Sequence, residues 1–547
     1  MWHDLYLVSP LLIVIVIGLV ALIAGVFAPA GSAKGWLGYI TTFGFVVALG
    51  AALFLYGKTP DGLAFESGSF QYALVLDHFG LGMSIIIIVG AALMTLSAVD
   101  YLPEQKADHG EFYGLIAFAT AGMIALVMAN DLLTFFVALE LMSLAVYVLA
   151  GFKRQSKFST ESATKYFVLG SFASGLLLLG IAFAYGATGE ISMGGIGQAI
   201  REGALDKVPE LVRFAMVLII AAFFFKVAAA PFHMWVPDVY EGAPSPAAGF
   251  MAIAVKTAAF GGFARLMLTT FGAPELRTEG VSWELLVAIV AVASMFIGNL
   301  GALSQKSLKR MLAYSAIAHT GYLMVALLVI PKDSVAPLNA LGAGLVFYLL
   351  AYTLANAAAF GVASAVSGSD TEDVGEAAYA GLAKRSPGHA LVLAIAMLSL
   401  LGIPLTAGFM GKLTIFEEIL TARHSEYLWL VVIAVINSVI SAWYYLRVIL
   451  VAYMQDERED RPIQLIKSRP LAIAIGVAAT LTVLVGVLPS KALTFSKTAG
   501  QSLAGRTGAQ VTAVVPDALV SPSAALPDPR ARAPGSPAIT TGATATP

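Results

Sequence analysis

Apolar runs of about twenty residues follow one another along this chain almost from end to end, and each is long enough to cross a hydrocarbon core of about 30 Å. That recurrence confines the chain to an all-α integral membrane fold, with its length spent on spans. Composition agrees: the 547 residues are 59% hydrophobic and 12% charged, against about 45–50% apolar and about 25% charged in a soluble domain. The first run, Leu5 to Phe27, is too long for a signal-peptide core and has no Lys or Arg ahead of it, so it reads as a retained helix.

The spacing predicts about fourteen spans, at 6–28, 37–56, 79–100, 111–130, 131–152, 162–186, 211–231, 246–271, 280–302, 307–329, 337–367, 389–421, 427–454 and 468–489. Residues 1–489 thus form one polytopic domain. Spans seven and twelve are expected to be broken, because Pro231, Pro237, Pro244 and Pro246 interrupt the region after the seventh and Gly402 to Gly408 the twelfth. Helix breakers at membrane depth survive only where protein or a wet cavity satisfies the freed backbone. From about Ser490 the chain turns rich in Ala, Pro, Ser, Thr and Gly, so residues 490–547 are expected to be a disordered tail. One set of alternate loops is basic, with Lys153, Arg154, Lys157, Lys165, Lys306, Lys309, Arg310, Lys384 and Arg385, which marks it as cytoplasmic. Both termini then lie outside.

Several functions are excluded. Without cysteine the chain holds no disulfide, no cysteine-ligated iron–sulfur cluster and no thiol nucleophile. Any redox chemistry belongs to a partner. A formal charge of −2 and the lack of a basic run speak against a nucleic-acid surface. Gly411-Lys412 resembles a phosphate loop, but Thr406 stands at its first glycine position and Leu413 in place of Ser or Thr. Gly194-Gly195-Ile196-Gly197 has no preceding strand and makes a poor dinucleotide site.

An ionisable group near the bilayer centre costs about 2.5–3.5 kcal/mol even on a lenient scale, so each one needs a partner or a task. Five stand near midspan: Glu140, Lys226, Lys256, His319 and Lys412. Lys226 and Lys412 each lie beside a helix break, five spans apart, hence on helices of opposite direction. That is the arrangement of two inverted five-helix units, about 111–271 and 280–454, and interrupted helices in corresponding positions point to a transport route. Glu140 with Lys226 also fits a purely structural ion pair. A glutamate with several lysines at one depth is an unbalanced row, however, suited to passing protons. His319 is able to exchange protons near neutrality, or simply to pack. Arg265 and Arg447 lie nearer helix ends and are expected to snorkel. His233, Asp238 and Glu241 fall in the cytoplasmic break loop, where they either feed protons inward or pack the loop.

The run FHMWVPDVYEGAPSP, from Phe232 to Pro246, closely resembles the signature of subunit N of bacterial proton-pumping NADH:quinone oxidoreductase, an antiporter-like subunit family of respiratory complex I. LAYSAIAHTGY from Leu312 and GIPLTAGF from Gly402 are similar to the same family. Lys412 favours subunit N over M-like relatives, which carry glutamate there, and the missing long lateral helix argues against subunit L. The resemblance implies a proton relay. Glu140 and Lys226 would form a switchable pair in a cytoplasmic half-channel, Lys256 the central carrier, and Lys412 a step on the route outward. It also implies partners: other membrane and peripheral subunits would hold NADH, FMN, iron–sulfur clusters and quinone, in the bacterial cytoplasmic membrane. A free Mrp-like cation/proton antiporter, or a non-conducting scaffold, is the alternative.

Overall fold

Polar side chains mark where the apolar runs enter helix. Asp77 accepts from the Gly80 amide, Asp131 from Leu133 and Thr134, and Ser156, Ser282, Ser307 and Ser468 each cap the start of the next helix. Such caps satisfy amide donors left open at helix starts. The computed structural model describes residues 2–29, 32–58, 73–272, 276, 282–328, 342–366, 375–421, 427–457 and 465–505. Among them there is helix throughout and no strand, only isolated bridges.

The helices of the first half are α1 Trp2–Leu7, α2 Ser9–Phe27, α3 Gly35–Lys58, α4 His78–Ala98, α5 Tyr101–Glu104, α6 Glu111–Met128, α7 Leu132–Ala150 and α8 Lys157–Thr188. Next come the short α9 Met193–Ala199 and α10 Leu205–Lys207, then α11 Pro209–Lys226, α12 Trp235–Gly242, α13 Ser245–Phe250 and α14 Lys256–Thr269. The second half comprises α15 Trp283–Leu303, α16 Leu308–Leu327, α17 Ala343–Ala365, α18 Leu382–Arg385, α19 Pro387–Leu401, α20 Ala407–Thr421, α21 Leu428–Met454, α22 Arg469–Val487 and α23 Ser490–Gly505.

Eleven helical runs among the described residues are long and apolar enough to cross a membrane. The expected spans at 211–231, 307–329 and 389–421 correspond to α11, to α16 with its Lys309 and Arg310, and to the broken pair α19–α20. Both expected breaks are present. α11 stops at Lys226 and α12 starts at Trp235; α19 stops at Leu401 and α20 starts at Ala407. Each break turns on a non-glycine residue with positive φ, Ala228 at 64° and Leu405 at 73°. Such backbone costs about 1–3 kcal/mol and persists only where its surroundings hold it.

The bundle is layered by burial. α4, α17 and the run from α13 through α14 are buried along almost their whole length, whereas α2, α8 and α21 turn most of their residues outward. Outward faces carry Phe43, Phe172 and Val439, each more than 60% exposed, apolar surface that belongs in lipid. Small residues let the backbones close up: a Cβ on Gly122 of α6 would stand 2.6 Å from the Met142 amide of α7.

Two expectations are corrected. The segment from Ser490 does not begin as a disordered tail. Its first turns form α23, because Phe495, Ala499 and Leu503 recur every fourth residue, a spacing that makes one face, and pack on α4, where Gly82 admits Ala499. The rest of the expected tail, 506–547, lies outside the described residues. Nor does Arg265 snorkel. It is 2% exposed and grips Asp77 through two bonds of 2.7 and 2.8 Å while its Nε donates to the Val127 carbonyl. The buried carboxylate at the start of α4 holds the guanidinium inside the protein by a charge-assisted, two-bond contact. Arg447 reaches the Leu303 and Gln305 carbonyls, at the end of α15 and in the turn beyond it.

Candidate functional site

α7 presents Glu140, Ser143 and Tyr147 at offsets of three and seven, one face of a helix. That face meets α8 and the end of α11. Ser174 of α8 donates to Glu140 Oε1 at 2.5 Å. Lys226 Nζ donates to Ser143 Oγ at 2.9 Å and to the Tyr147 hydroxyl at 3.1 Å. Among the described residues Glu140 and Lys226 share no contact within ion-pairing distance: Ser143, whose own hydroxyl donates to the Leu139 carbonyl, and Tyr147 hold Lys226, while Ser174 holds Glu140. Glycine makes this possible, since a Cβ on Gly170 would stand 2.0 Å from the Tyr147 oxygen.

Beyond Lys226 the chain leaves helical geometry, and the freed Val227 carbonyl accepts from Thr320 Oγ1 at 2.6 Å. The same Thr320 oxygen accepts from Lys256 Nζ at 2.8 Å, and Lys256 also reaches the Ala316 carbonyl at 2.6 Å. A π-helical turn, Met251–Val255, immediately precedes Lys256; single turns of this kind shift the register of the helix beyond them and recur at functional sites. One residue before Thr320, His319 holds a tyrosine hydroxyl at each ring nitrogen, Tyr348 at 2.7 Å on Nδ1 and Tyr445 at 3.0 Å on Nε2. Lys412 Nζ donates to the Leu401 carbonyl at 2.8 Å, the end of α19, and to Ser438 at 3.1 Å, and it lies 4.8 Å from the Tyr322 ring centre. A cation on the open carbonyls of a helix end is in the favourable orientation of the helix dipole.

Lys226, Lys256, His319 and Lys412 are all buried, and Glu140 is half-buried. Neither Lys256 nor Lys412 has a carboxylate within ion-pairing distance among the described residues; both are held by neutral oxygens alone. The five groups expected from sequence thus lie along one line of helices, from α7–α8 through α11, α14 and α16 to α20. Sequence reasoning missed the hydroxyls between them: Ser143, Ser174, Thr320, Tyr348, Tyr445 and Ser438. Their one signal was local, Ser143 and Tyr147 sharing a face with Glu140.

The break-loop acids sit apart from this line. Asp238 accepts from Arg310 at 2.7 Å and from Lys165 at 2.6 Å, and Glu241 accepts from Arg310 at 2.9 Å, tying α12 to α8 and α16. Partial burial of Asp238 works to raise its pKa, but the bonds from Lys165 and Arg310 outweigh it and hold the carboxyl below its ordinary range. His233 Nδ1 makes no hydrogen bond among the described residues.

Groups this costly to bury, following one another between two interrupted helices, define a polytopic membrane translocator of the antiporter type. The chain belongs to the family described as NADH:quinone oxidoreductase/Mrp antiporter, transmembrane, matched over residues 129–441, and within it to the subunit N group. It is 44% identical to NADH-quinone oxidoreductase subunit N 1 of Sorangium cellulosum over 83% of this chain and 88% of that one. With subunit N of Trichlorobacter lovleyi the identity is 39%, over 91% and 97%. Among solved structures, a chain of respiratory complex I from Thermus thermophilus is 32% identical with a TM-score of 0.71, covering 89% of this chain and 98% of that one. A chain of the Mrp complex from Dietzia has a TM-score of 0.76 at 20% identity, over 92% and 100%, and shares the fold. The resemblance carried by residues 232–246 is borne out.

Proposed function

We propose that this chain is the proton-translocating subunit N of an NADH:quinone oxidoreductase, and that the line Glu140, Lys226, Lys256, His319, Lys412 is its proton route across the midplane. The chain crosses the bacterial cytoplasmic membrane fourteen times, in two inverted five-helix units, with both termini on the outer side. Neighbouring antiporter-like subunits adjoin it, and peripheral subunits carry NADH, FMN, iron–sulfur clusters and quinone. Electron transfer in those partners supplies the energy.

The observation that carries this reading is the pair of buried lysines, Lys256 and Lys412, bonded only to neutral oxygens. A structural charge in a membrane is normally paired; an unpaired one at this depth marks an ion or proton route. Each residue has a definite task. Glu140 and Lys226, held by hydroxyls along one face of α7, make a site whose two charges support each other through space and weaken when either is neutralised. The break after Lys226 lets its side chain reorient without unwinding a continuous helix. Thr320 ties that break to Lys256, so movement of Val227 is felt at the central lysine. His319, with a hydroxyl on each nitrogen, is able to take a proton at one and release it at the other.

Replacing Lys256 tests the route. Lys256→Ala in the assembled complex is expected to abolish or strongly reduce proton pumping while NADH oxidation by an artificial acceptor, which draws electrons upstream, continues. Pumping at an unchanged ratio to quinone reduction would show Lys256 to be structural.

A further inference from the structure

One buried ionisable group lies outside the route. Glu418 of α20, six residues beyond Lys412, is 3% exposed. Its Oε1 accepts from the Gly344 amide in the first turn of α17 at 2.7 Å, whereas Oε2 has no hydrogen-bond partner among the described residues. α17 leaves space for that oxygen, since a Cβ on Gly344 would stand 2.6 Å from it. The nearby charges are Glu417, its exposed neighbour, and Lys497, exposed on α23.

α17 connects this carboxyl to the centre. Gly344, Tyr348, Tyr352 and Asn356 recur every four residues on one face. Tyr348 bonds His319, and the Tyr352 ring centre lies 5.5 Å from Lys256 Nζ. The Tyr352 hydroxyl and Asn356 Oδ1 also lack a hydrogen-bond partner among the described residues, although buried polar atoms as a rule have one or a bound water. A small cavity lined by His319, Tyr348, Tyr352, Ser399 and Gly408 opens along the same face. From Gly344 to Tyr352 the rise is about 12 Å. At the outer end α23 covers the seam between α17 and α20, with Ala492 and Leu493 packed on the cluster of Phe347, Ala351 and Ala407.

A simpler role is a cap on the amides of α17. That accounts for Oε1, with the Ala343 amide also facing the carboxyl, and leaves Oε2 with no hydrogen bond among the described residues. We propose that Glu418 is the outermost proton-carrying group of this chain, fed from His319 past Tyr348 along the Gly344 face of α17 and discharging beneath α23. The proton arrives on Oε2 through water, neutralises the carboxylate, and leaves from the same oxygen to the outer side; His319 is reprotonated from the Lys256 side. This rests on the route proposed above.

Glu418→Gln separates the two roles, because the amide oxygen still accepts from Gly344 but the side chain no longer ionises. The rate of quinone-linked pumping, measured per assembled complex, is expected to fall about tenfold or more, with Glu418→Asp retaining more than Glu418→Gln. Wild-type pumping in Glu418→Gln would overturn the proposal and leave the cap. Should Glu418→Gln fail to assemble, the wild-type complex answers instead. A hydrophobic carbodiimide, which adds to buried protonated carboxyls, is expected to modify Glu418 as mapped by mass spectrometry, and an unmodified Glu418 would overturn the assignment. Lys256→Ala, run in parallel, reports on the route itself, so its failure is distinguishable from failure of this exit.

Discussion

A lysine buried beside neutral oxygens keeps its proton only on the terms those oxygens set. Around Lys226 they are the hydroxyls of Ser143 and Tyr147, and the nearest acid on the same face, Glu140, is engaged by Ser174. Coupling between Glu140 and Lys226 thus acts through space, across hydroxyls whose bonds can be remade as either charge changes. If the pair works as a unit, Glu140→Gln and Lys226→Ala should each cut quinone-linked pumping, and the double variant should be no worse than the more damaging single one. A structural pair behaves differently: removing both charges relieves the orphan left by either single change, and the double variant recovers assembly and pumping together. Pumping per assembled complex in the three variants decides, and full pumping in either single variant would falsify the coupled route.

At the scale of elements, the short helix α12 is held by charge as well as by apolar packing. Its Asp238 and Glu241 are clasped by Lys165 and Arg310, partly exposed pairs each worth about 0.2–1 kcal/mol. The stacked Tyr166 and Trp235 rings, 4.3 Å apart, add the apolar share. Asp238 has a depressed pKa in the folded state. Its stabilising contribution is therefore complete above the ordinary carboxylate pKa of about 3.9 and is lost as pH falls through the lower folded value. The protection factor against hydrogen exchange over Trp235–Gly242 should fall in that acid window, and Asp238→Asn should reproduce the fall at pH 7, by severalfold for about 1 kcal/mol lost. Exchange unchanged by Asp238→Asn would mean that apolar packing alone seats α12.

For the whole molecule, orientation is set by which loops are basic. By that count the cluster Arg154, Lys157 and Lys165 around the start of α8 is expected on the cytoplasmic side. Because the chain has no cysteine, Lys157→Cys supplies a unique thiol. An impermeant maleimide should label it in inverted vesicles and not in intact cells; labelling from outside would reverse the topology and, with it, the direction assigned to Glu418.

The sequence by itself determined whatever a one-dimensional pattern carries. Runs of apolar residues state that lipid is the solvent, and proline and glycine beside Lys226 and Lys412 state where helices break. The cost of burying charge singled out Glu140, with Lys226 as its candidate partner, and Lys256 and His319 with none in view. The tertiary structure alone decided what those groups touch, because their partners are remote in the chain: Lys226 meets Ser143, Lys256 meets Thr320, and His319 meets Tyr445. Arg265, expected to reach the interface, found Asp77 instead. The sequence placed Glu418 near a span's end beside another glutamate, where a solvated pair is the ordinary reading. Only the packing of α20 against a glycine of α17 buried one of the two and left the other in the open. Helix formation depends on neighbours within a few residues, but burial of a side chain depends on which other helix arrives beside it, and that is settled by the whole bundle.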